Sequence, residues 1–183
     1  MEAIAGDLAL LDDLPTVLFG HSMGGLVAFE LARRLRDTGR SSPSHLFVSS
    51  VRAPFLPPDA SPEHVLPTGE LQAVLRRRYG GLPAEVEDHP ELLAWSLELL
   101  RQDLRALETH RCVPGRPLPV PLSALGGDAD PSAPVDDLRP WAAETSSTFS
   151  LRVFPGDHRY MESQQEAVLN YVRHQLAYLG PQE

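Results

Sequence analysis

The sequence predicts an α/β fold in which a mostly parallel β-sheet is flanked by helices and carries a helical lid insertion. Short apolar runs rich in strand-forming residues alternate with helical patterns, which is typical of a parallel sheet covered by helices. A stretch with only helical patterns and Pro-rich loops separates the second run from the third, as an insertion would. The chain of 183 residues, 42% hydrophobic and 22% charged, is long enough for one domain with a sizeable core.

Residues 1–51 form the first part of the predicted core. Apolar residues at helical spacing favour a helix at the start, and two apolar runs favour buried strands. The Thr38-Gly39 pair is a typical helix stop. The predicted elements are a helix over residues 1–12, a strand over Pro15–Gly20, a helix over Gly24–Asp37 and a strand over His45–Ser50.

Residues 52–112 form the predicted lid. A Pro-rich irregular stretch comes first, followed by a short amphipathic helix that ends at Gly80-Gly81. A longer helix begins near Pro90 and carries leucines at spacings of three and four residues, which is the pattern of an apolar stripe. The stripe either packs as ordinary core or lines a channel, and the sequence leaves both interpretations open. Its members are Leu93, Leu97, Leu100, Leu104 and Leu107.

Residues 113–183 form the second part of the predicted core. The alternation of strands and helices resumes here, so that two more strands join the sheet. The predicted elements are a strand over Pro121–Leu125, a helix over Val135–Ala143, a strand over Phe149–Gly156 and a last helix over Glu162–Leu179.

The segment from Gly20 to Gly24 places a serine between two glycines, after a predicted strand and before a predicted helix. In that context the Gly-x-Ser-x-Gly pattern predicts a nucleophile elbow, in which Ser22 occupies a strained turn and its hydroxyl projects above the sheet. The glycines let strand and helix cross closely, and the N–H of Met23 points toward negative charge that develops nearby. The alternative is a tight glycine turn with an inert serine.

A serine nucleophile needs a base and an orienting acid, and in this architecture the acid comes first and a histidine follows. Asp128 and Asp130 follow the third predicted strand, and His158 follows the fourth. Loops at the carboxyl ends of parallel strands open on one edge of the sheet, so these side chains can meet Ser22. Asp130 is favoured as the acid, although Asp128 could equally cap the turn, and Asp157 is favoured as a turn residue. The alternative for His158 is a solvated loop histidine.

The composition disfavours several other classes of function. A net charge of −9 argues against nucleic acid as a partner. No apolar run is long enough to cross a membrane, and the first residues lack a signal-like block. Cys112 is the single cysteine, which predicts a reducing, cytoplasmic environment. No His or Cys pair has ligand spacing and no G-x-G-x-x-G or Walker lysine is present, so neither a metal nor a nucleotide is expected.

With these motifs in place, the chain resembles the type II thioesterases of the α/β-hydrolase superfamily, which accompany polyketide synthases and nonribosomal peptide synthetases. The resemblance covers essentially the whole chain. It rests on the combination of an elbow, a lid and two loop motifs, namely LFGHSMGGLVAFELARRL, LRRRYGGLPAEV, ELLAWSLELLRQDLRALETHR, ALGGDADP and FPGDHRYM.

The resemblance implies a catalytic triad of Ser22, Asp130 and His158, with the backbone N–H of Met23 in the oxyanion hole. It further implies hydrolysis of acyl thioesters on the phosphopantetheine arm of acyl or peptidyl carrier proteins, which clears stalled or mis-primed units. The enzyme would be a cytoplasmic monomer without a cofactor of its own, since the substrate carries the phosphopantetheine.

The N-terminal part departs from the family pattern. Full-length members carry earlier strands and a His-Ala-Gly-Gly-like loop whose N–H completes the oxyanion hole, and nothing in this sequence matches them. We therefore expect those strands to be missing, a single oxyanion donor at Met23, and an exposed apolar sheet edge near Val17–Phe19. Losing one such donor typically costs about 10² to 10³ in rate.

Three further questions stay open in the sequence. The same triad serves carboxylic ester hydrolases and acyltransferases. A truncated, non-catalytic relative would bind carrier proteins without turning them over. Finally, Arg76, Arg77 and Arg78 form a basic cluster on an otherwise acidic chain, which is either a docking site for an acidic carrier protein or an ordinary solvated helix face.

Overall fold

The computed structural model describes residues 15–57 and 61–177. Within these ranges, parallel strands form one four-stranded sheet in the order β1-β2-β3-β4. Each strand lies where the sequence predicts it, to within two residues at either end. The strands are β1 over Val17–His21, β2 over His45–Ser49, β3 over Leu122–Gly127 and β4 over Phe149–Phe154. The helix predicted over residues 1–12 lies outside the described residues.

Helices connect the strands, which confirms the predicted α/β class. α1 spans Met23–Asp37, and the lid that follows β2 contains α2 (Thr68–Arg78), α3 (Ala84–Glu87) and α4 (Pro90–Thr109). After β3 come α5 (Val135–Leu138) and a 3₁₀ helix (Arg139–Glu144), and after β4 come α6 (Tyr160–Ser163) and α7 (Gln165–Ala177). Among the helices of the described ranges, none combines the length and the apolar character needed to cross a membrane.

Some helices differ from the prediction. The helix predicted over Val135–Ala143 continues as a 3₁₀ helix after Leu138, where Pro140 lacks the N–H that an α-helix needs. The short α3 has no buried residue, so no apolar periodicity could have indicated it. The last predicted helix begins earlier, at Tyr160, and is divided at Gln164 into α6 and α7.

Successive side chains of β2 point to opposite faces of the sheet, and helices cover each face. Leu46 and Val48 pack on one face with Phe29 of α1 and with Trp141. Phe47 lies on the other face, against α6 and α7. Each large apolar side chain that is fully buried in this way contributes about 1.5–3 kcal/mol to folding. These two cores fix the sheet, and with it the loops at its carboxyl edge.

β1 lies at one edge of the sheet that the described residues form. The side chain of Phe19 is 43% exposed there. Of the exposed apolar edge predicted near Val17–Phe19, only Phe19 is exposed, whereas Val17 and Leu18 are half-buried.

The lid has an apolar core of its own between α2 and α4. Leu71 and Leu75 of α2 pack with Leu97 and Leu104 of α4, and all of them are buried. The leucine stripe of α4 is therefore partly ordinary core, as one of the two interpretations held.

Candidate active site

Ser22 lies in a sharp turn between β1 and α1. Its backbone has φ 54° and ψ −128°, which is a strained conformation for a residue with a Cβ. The turn is held because the Ser22 N–H donates to the Ser49 carbonyl oxygen at 2.7 Å and the Gly25 N–H donates to the Ser22 carbonyl oxygen at 2.9 Å. A Cβ at Gly20 would lie 2.0 Å from the Gly24 carbonyl oxygen, so no larger residue fits where strand and helix cross. The strained turn that the sequence predicts is present.

Met23 is the first residue of α1, so its N–H has no carbonyl partner within the helix. The start of a helix carries a partial positive charge. Met23 and Ser22 also line the same cavity. Met23 is therefore well placed for an oxyanion that forms beside Ser22, and its role as a donor stays a prediction.

Asp130 and His158 meet at the carboxyl edge of the sheet, although 28 positions separate them in the sequence. His158 Nδ1 lies 3.0 Å from Asp130 Oδ2, and the two residues are only 6% and 4% exposed. Their loops are close because β3 and β4 are parallel neighbours. A Cβ at Gly127, the last residue of β3, would lie 2.2 Å from the Gly156 carbonyl oxygen, so glycine is required for this approach.

The Asp130 carboxylate is held in its ionised form. Burial alone would raise the pKa of Asp130, but hydrogen bonds from His158 and Ser132 outweigh it and hold the pKa at about 2. The backbone N–H groups of Ser132 and Ala133 also donate to Oδ1, at 2.9 and 3.3 Å. The carboxylate therefore accepts the Nδ1–H of His158, and Nε2 carries the lone pair that can take a proton.

Ser132 belongs to this site and was missed in the sequence. Its buried hydroxyl lies 2.6 Å from Asp130 Oδ1 and 2.8 Å from His158 Nδ1. Because the carboxylate can only accept, the Ser132 hydroxyl donates to Asp130. The Ser132 oxygen then faces the Nδ1–H of His158. The only sequence signal is a serine two positions after an aspartate, which is a common turn pattern.

Asp128 and Asp157 serve the neighbouring turns. Asp128 Oδ1 accepts the Gly156 N–H at 2.9 Å, and Asp157 Oδ1 accepts the Arg159 N–H at 2.9 Å. Both side chains are on exposed residues. Of the three carboxylates considered from the sequence, Asp130 is the one that contacts His158.

His21 packs directly against His158, with ring centroids 4.9 Å apart. Its Nδ1 lies 2.9 Å from Ser49 Oγ, and that oxygen lies 2.7 Å from the Tyr160 hydroxyl. Burial, followed by the charge of His158, lowers the pKa of His21 to about 4. His21 is therefore neutral at neutral pH and supports His158 without placing a second positive charge beside it.

The lid reaches the site through Tyr79, which follows α2. Its ring meets the His158 ring edge-on, with centroids 5.0 Å apart. The Tyr79 hydroxyl donates to Glu63 Oε2 at 3.0 Å, and Glu63 is ion-paired with Arg78 at 2.5 Å. Burial and the Glu63 carboxylate raise the pKa of Tyr79, so the phenol keeps its proton. The lid thus lies against His158.

Two cavities, of about 480 and 460 Å³, share Ser22, His158 and Tyr79 in their walls. Both have charged side chains, among them Arg52 and Arg78 in the first and Asp103 and Arg159 in the second. The second is mostly apolar, and its lid and core residues include Leu75, Leu82, Leu100, Leu104, Leu107 and Met161. Part of the predicted leucine stripe therefore lines a cavity, which was the second interpretation.

The three arginines of the predicted docking cluster have different surroundings. Arg76 is ion-paired with Glu87 at 2.8 Å, and Arg78 with Glu63. Arg77 is exposed near the end of α2. Two of the three charges are therefore partly compensated by carboxylates, and carrier-protein docking at this cluster stays a prediction.

A parallel sheet with a strained serine after one strand, an aspartate after another and a histidine after the next is the arrangement of the α/β-hydrolase fold. The chain belongs to the thioesterase domain family, which matches residues 3–176.

Similar proteins come from antibiotic and related pathways. Linear gramicidin dehydrogenase LgrE of Brevibacillus parabrevis is 38% identical over 173 residues, covering 92% of this chain and 65% of that protein. The RedJ thioesterase from the prodiginine pathway of Streptomyces coelicolor is 36% identical with a TM-score of 0.85, covering 93% of this chain and 68% of RedJ. The type II thioesterase BorB from the borrelidin cluster is 37% identical with a TM-score of 0.80, covering 96% and 72%. The chain thus spans about two thirds of these relatives, and its resemblance to type II thioesterases is confirmed.

Proposed function

We propose that this chain is a serine hydrolase that cleaves acyl thioesters from the phosphopantetheine arm of acyl or peptidyl carrier proteins, in the editing role of type II thioesterases. The observation that carries the proposal is the buried hydrogen bond between Asp130 and His158, in a site that also contains the strained Ser22. Family membership supports the thioester as the bond that is cleaved.

In the proposed mechanism, His158 Nε2 takes the hydroxyl proton as Ser22 Oγ attacks the thioester carbonyl. The Met23 N–H stabilises the oxyanion. The thiol of the arm leaves with the proton from His158, and an acyl-enzyme remains on Ser22. Water activated by His158 then releases the acid, while Asp130 fixes the imidazole tautomer and stabilises the imidazolium.

The two cavities suggest where the parts of the substrate bind. We place the acyl group in the apolar cavity, because its leucine walls favour burial of a chain of carbon atoms. The arm then lies in the other cavity, where Arg52 and Arg78 supply positive charge for its phosphate. Each arginine is ion-paired with a carboxylate, Asp137 and Glu63 respectively, so the phosphate has to share or replace that partner.

The choice between thioesterase, ester hydrolase and acyltransferase is tested with matched substrates. We expect kcat/KM for an acyl-pantetheine thioester to exceed that for the oxygen ester of equal chain length by at least about tenfold, or about 1.4 kcal/mol of transition-state stabilisation. Equal or better turnover of the oxygen ester would indicate an ester hydrolase, and transfer to an added alcohol an acyltransferase. Binding of an acyl-carrier protein without turnover would indicate a non-catalytic module.

One relative, LgrE, is named a dehydrogenase, which raises hydride transfer as an alternative activity. The sequence of this chain gives that alternative little support. The glycines after β1 surround a serine in the pattern Gly-His-Ser-Met-Gly-Gly, which lacks the G-x-G-x-x-G spacing of a dinucleotide-binding turn. We expect that neither NADH nor NADPH is oxidised when it is mixed with the chain and an acyl-pantetheine substrate.

The role of Ser132 is tested by Ser132→Ala. We expect kcat/KM for the thioester to fall at least about tenfold, because a hydrogen bond to a charged partner is worth about 1.5–3 kcal/mol and the variant removes one from Asp130. Steady-state kinetics measures the loss, and Ser132→Thr, which keeps a hydroxyl, is the control. Equal losses in both variants would show that packing, rather than the hydroxyl, is what matters.

A further inference from the structure

Three metal-binding side chains meet outside the catalytic site. Glu30 lies on α1, and His110 and Cys112 follow the end of α4, where the lid returns to the core. One donor atom from each residue lies within 4.8 Å of the others. His110 and Cys112 also line the first of the two cavities that share Ser22.

The separation between the imidazole and the carboxylate suits a tetrahedral ion. Zinc binds carboxylate oxygen and imidazole nitrogen at about 2.0–2.1 Å, so two such donors on a tetrahedron lie about 3.3 Å apart. His110 Nε2 and Glu30 Oε1 are 3.2 Å apart. A nitrogen, a sulfur and an oxygen donor are a mixed set that zinc accepts, with water in the fourth position.

We propose that Glu30, His110 and Cys112 bind a zinc-like divalent cation that links the end of the lid to α1. The sequence analysis expected no metal because no His or Cys pair has ligand spacing. The third donor in this cluster comes from a position 80 residues away from His110, and only the fold brings it there.

Two groups oppose metal binding, namely the Arg33 guanidinium and the protonated Cys112 thiol. The Arg33 guanidinium donates to Glu30 Oε1 at 2.9 Å, so the cation has to compete with it for the carboxylate. Burial, and then the hydrogen bond to Glu30, raises the pKa of the Cys112 thiol to about 12. As the sulfur–metal bond forms, the thiol proton passes to solvent.

Cobalt(II) is the probe, because a cobalt–thiolate bond gives a charge-transfer absorption band and a tetrahedral site gives visible bands. We expect the chelator-treated chain to show both at one equivalent of Co²⁺, and added Zn²⁺ to remove them. Cys112→Ser should lose the sulfur band. His110→Gln and Glu30→Gln should weaken binding by more than about 100-fold, beyond the loss typical of outer-shell partners.

Two further variants distinguish loss of a specific metal site from a general effect of substitution on the fold. His89→Gln changes an exposed histidine at the start of α4 whose side chain makes no capping bond, and it should bind Co²⁺ as the unaltered chain does. Arg33→Gln removes the competing cation and should tighten binding up to about fivefold. A spectrum without the sulfur band, or equal affinities of His110→Gln and His89→Gln, would overturn the proposal.

Discussion

Ser22→Ala is expected to lower kcat/KM for an acyl-pantetheine thioester by at least about 10⁴-fold, because the variant has no atom that can form the acyl-enzyme. The variant loses only the hydroxyl of Ser22, so the elbow and the fold should persist. A fluorophosphonate probe, which reacts with activated serines, should label the unaltered chain and leave Ser22→Ala unlabelled. Steady-state hydrolysis and labelling together measure the effect.

Ser50→Ala is the matched control for this prediction. Ser50 is also a buried serine at the carboxyl end of a strand and has a positive φ of 47°. Its hydroxyl has no hydrogen-bond partner among the described residues, so no base activates it. Ser50 lies in the wall of the cavity proposed for the arm, so the comparison is made on kcat, which is expected to stay within a few-fold of that of the unaltered chain. If Ser22→Ala kept its activity or its labelling, Ser22 would not be the nucleophile and the elbow would be only a turn.

Most of the fold follows from local sequence patterns. The strands are short apolar runs bounded by turn residues, and their alternation with helices leaves little choice other than a parallel sheet. The elbow could be located because a strained serine needs glycines at fixed neighbouring positions, such as Gly20 and Gly24. Asp130 and His158 could be proposed because the topology alone places the ends of β3 and β4 side by side.

What the sequence did not reveal depends on packing between distant segments. Ser132 looks like any turn serine until its hydroxyl is seen between a carboxylate and an imidazole. The contact of Tyr79 with His158 depends on how the lid lies on the core, which no periodicity encodes. The apolar stripe of α4 has both functions that were considered, since Leu97 is buried in the lid core while Leu107 lines both cavities.

Asp130→Asn is expected to lower kcat about 10⁴-fold with little change in the fold. The carboxylate accepts the Nδ1–H of His158, and an amide placed there can turn its NH₂ group toward Nδ1 instead. The imidazole would then carry its proton on Nε2, where it could not take the proton of Ser22. Because the pKa of Asp130 is held at about 2, the unaltered chain keeps this carboxylate ionised throughout the pH range of an assay.

Asp128→Asn is the control that decides between the two acids that the sequence left open. Asp128 lies on the same loop, but its Oδ1 accepts the Gly156 N–H, and an asparagine oxygen can accept the same bond. Near-normal kcat is therefore expected for Asp128→Asn. The reverse order of effects, with Asp128→Asn the more damaging variant, would mean that His158 is oriented by Asp128 during turnover and that its bond to Asp130 only stabilises the loop. Circular dichroism and thermal unfolding of both variants exclude loss of folding as the cause.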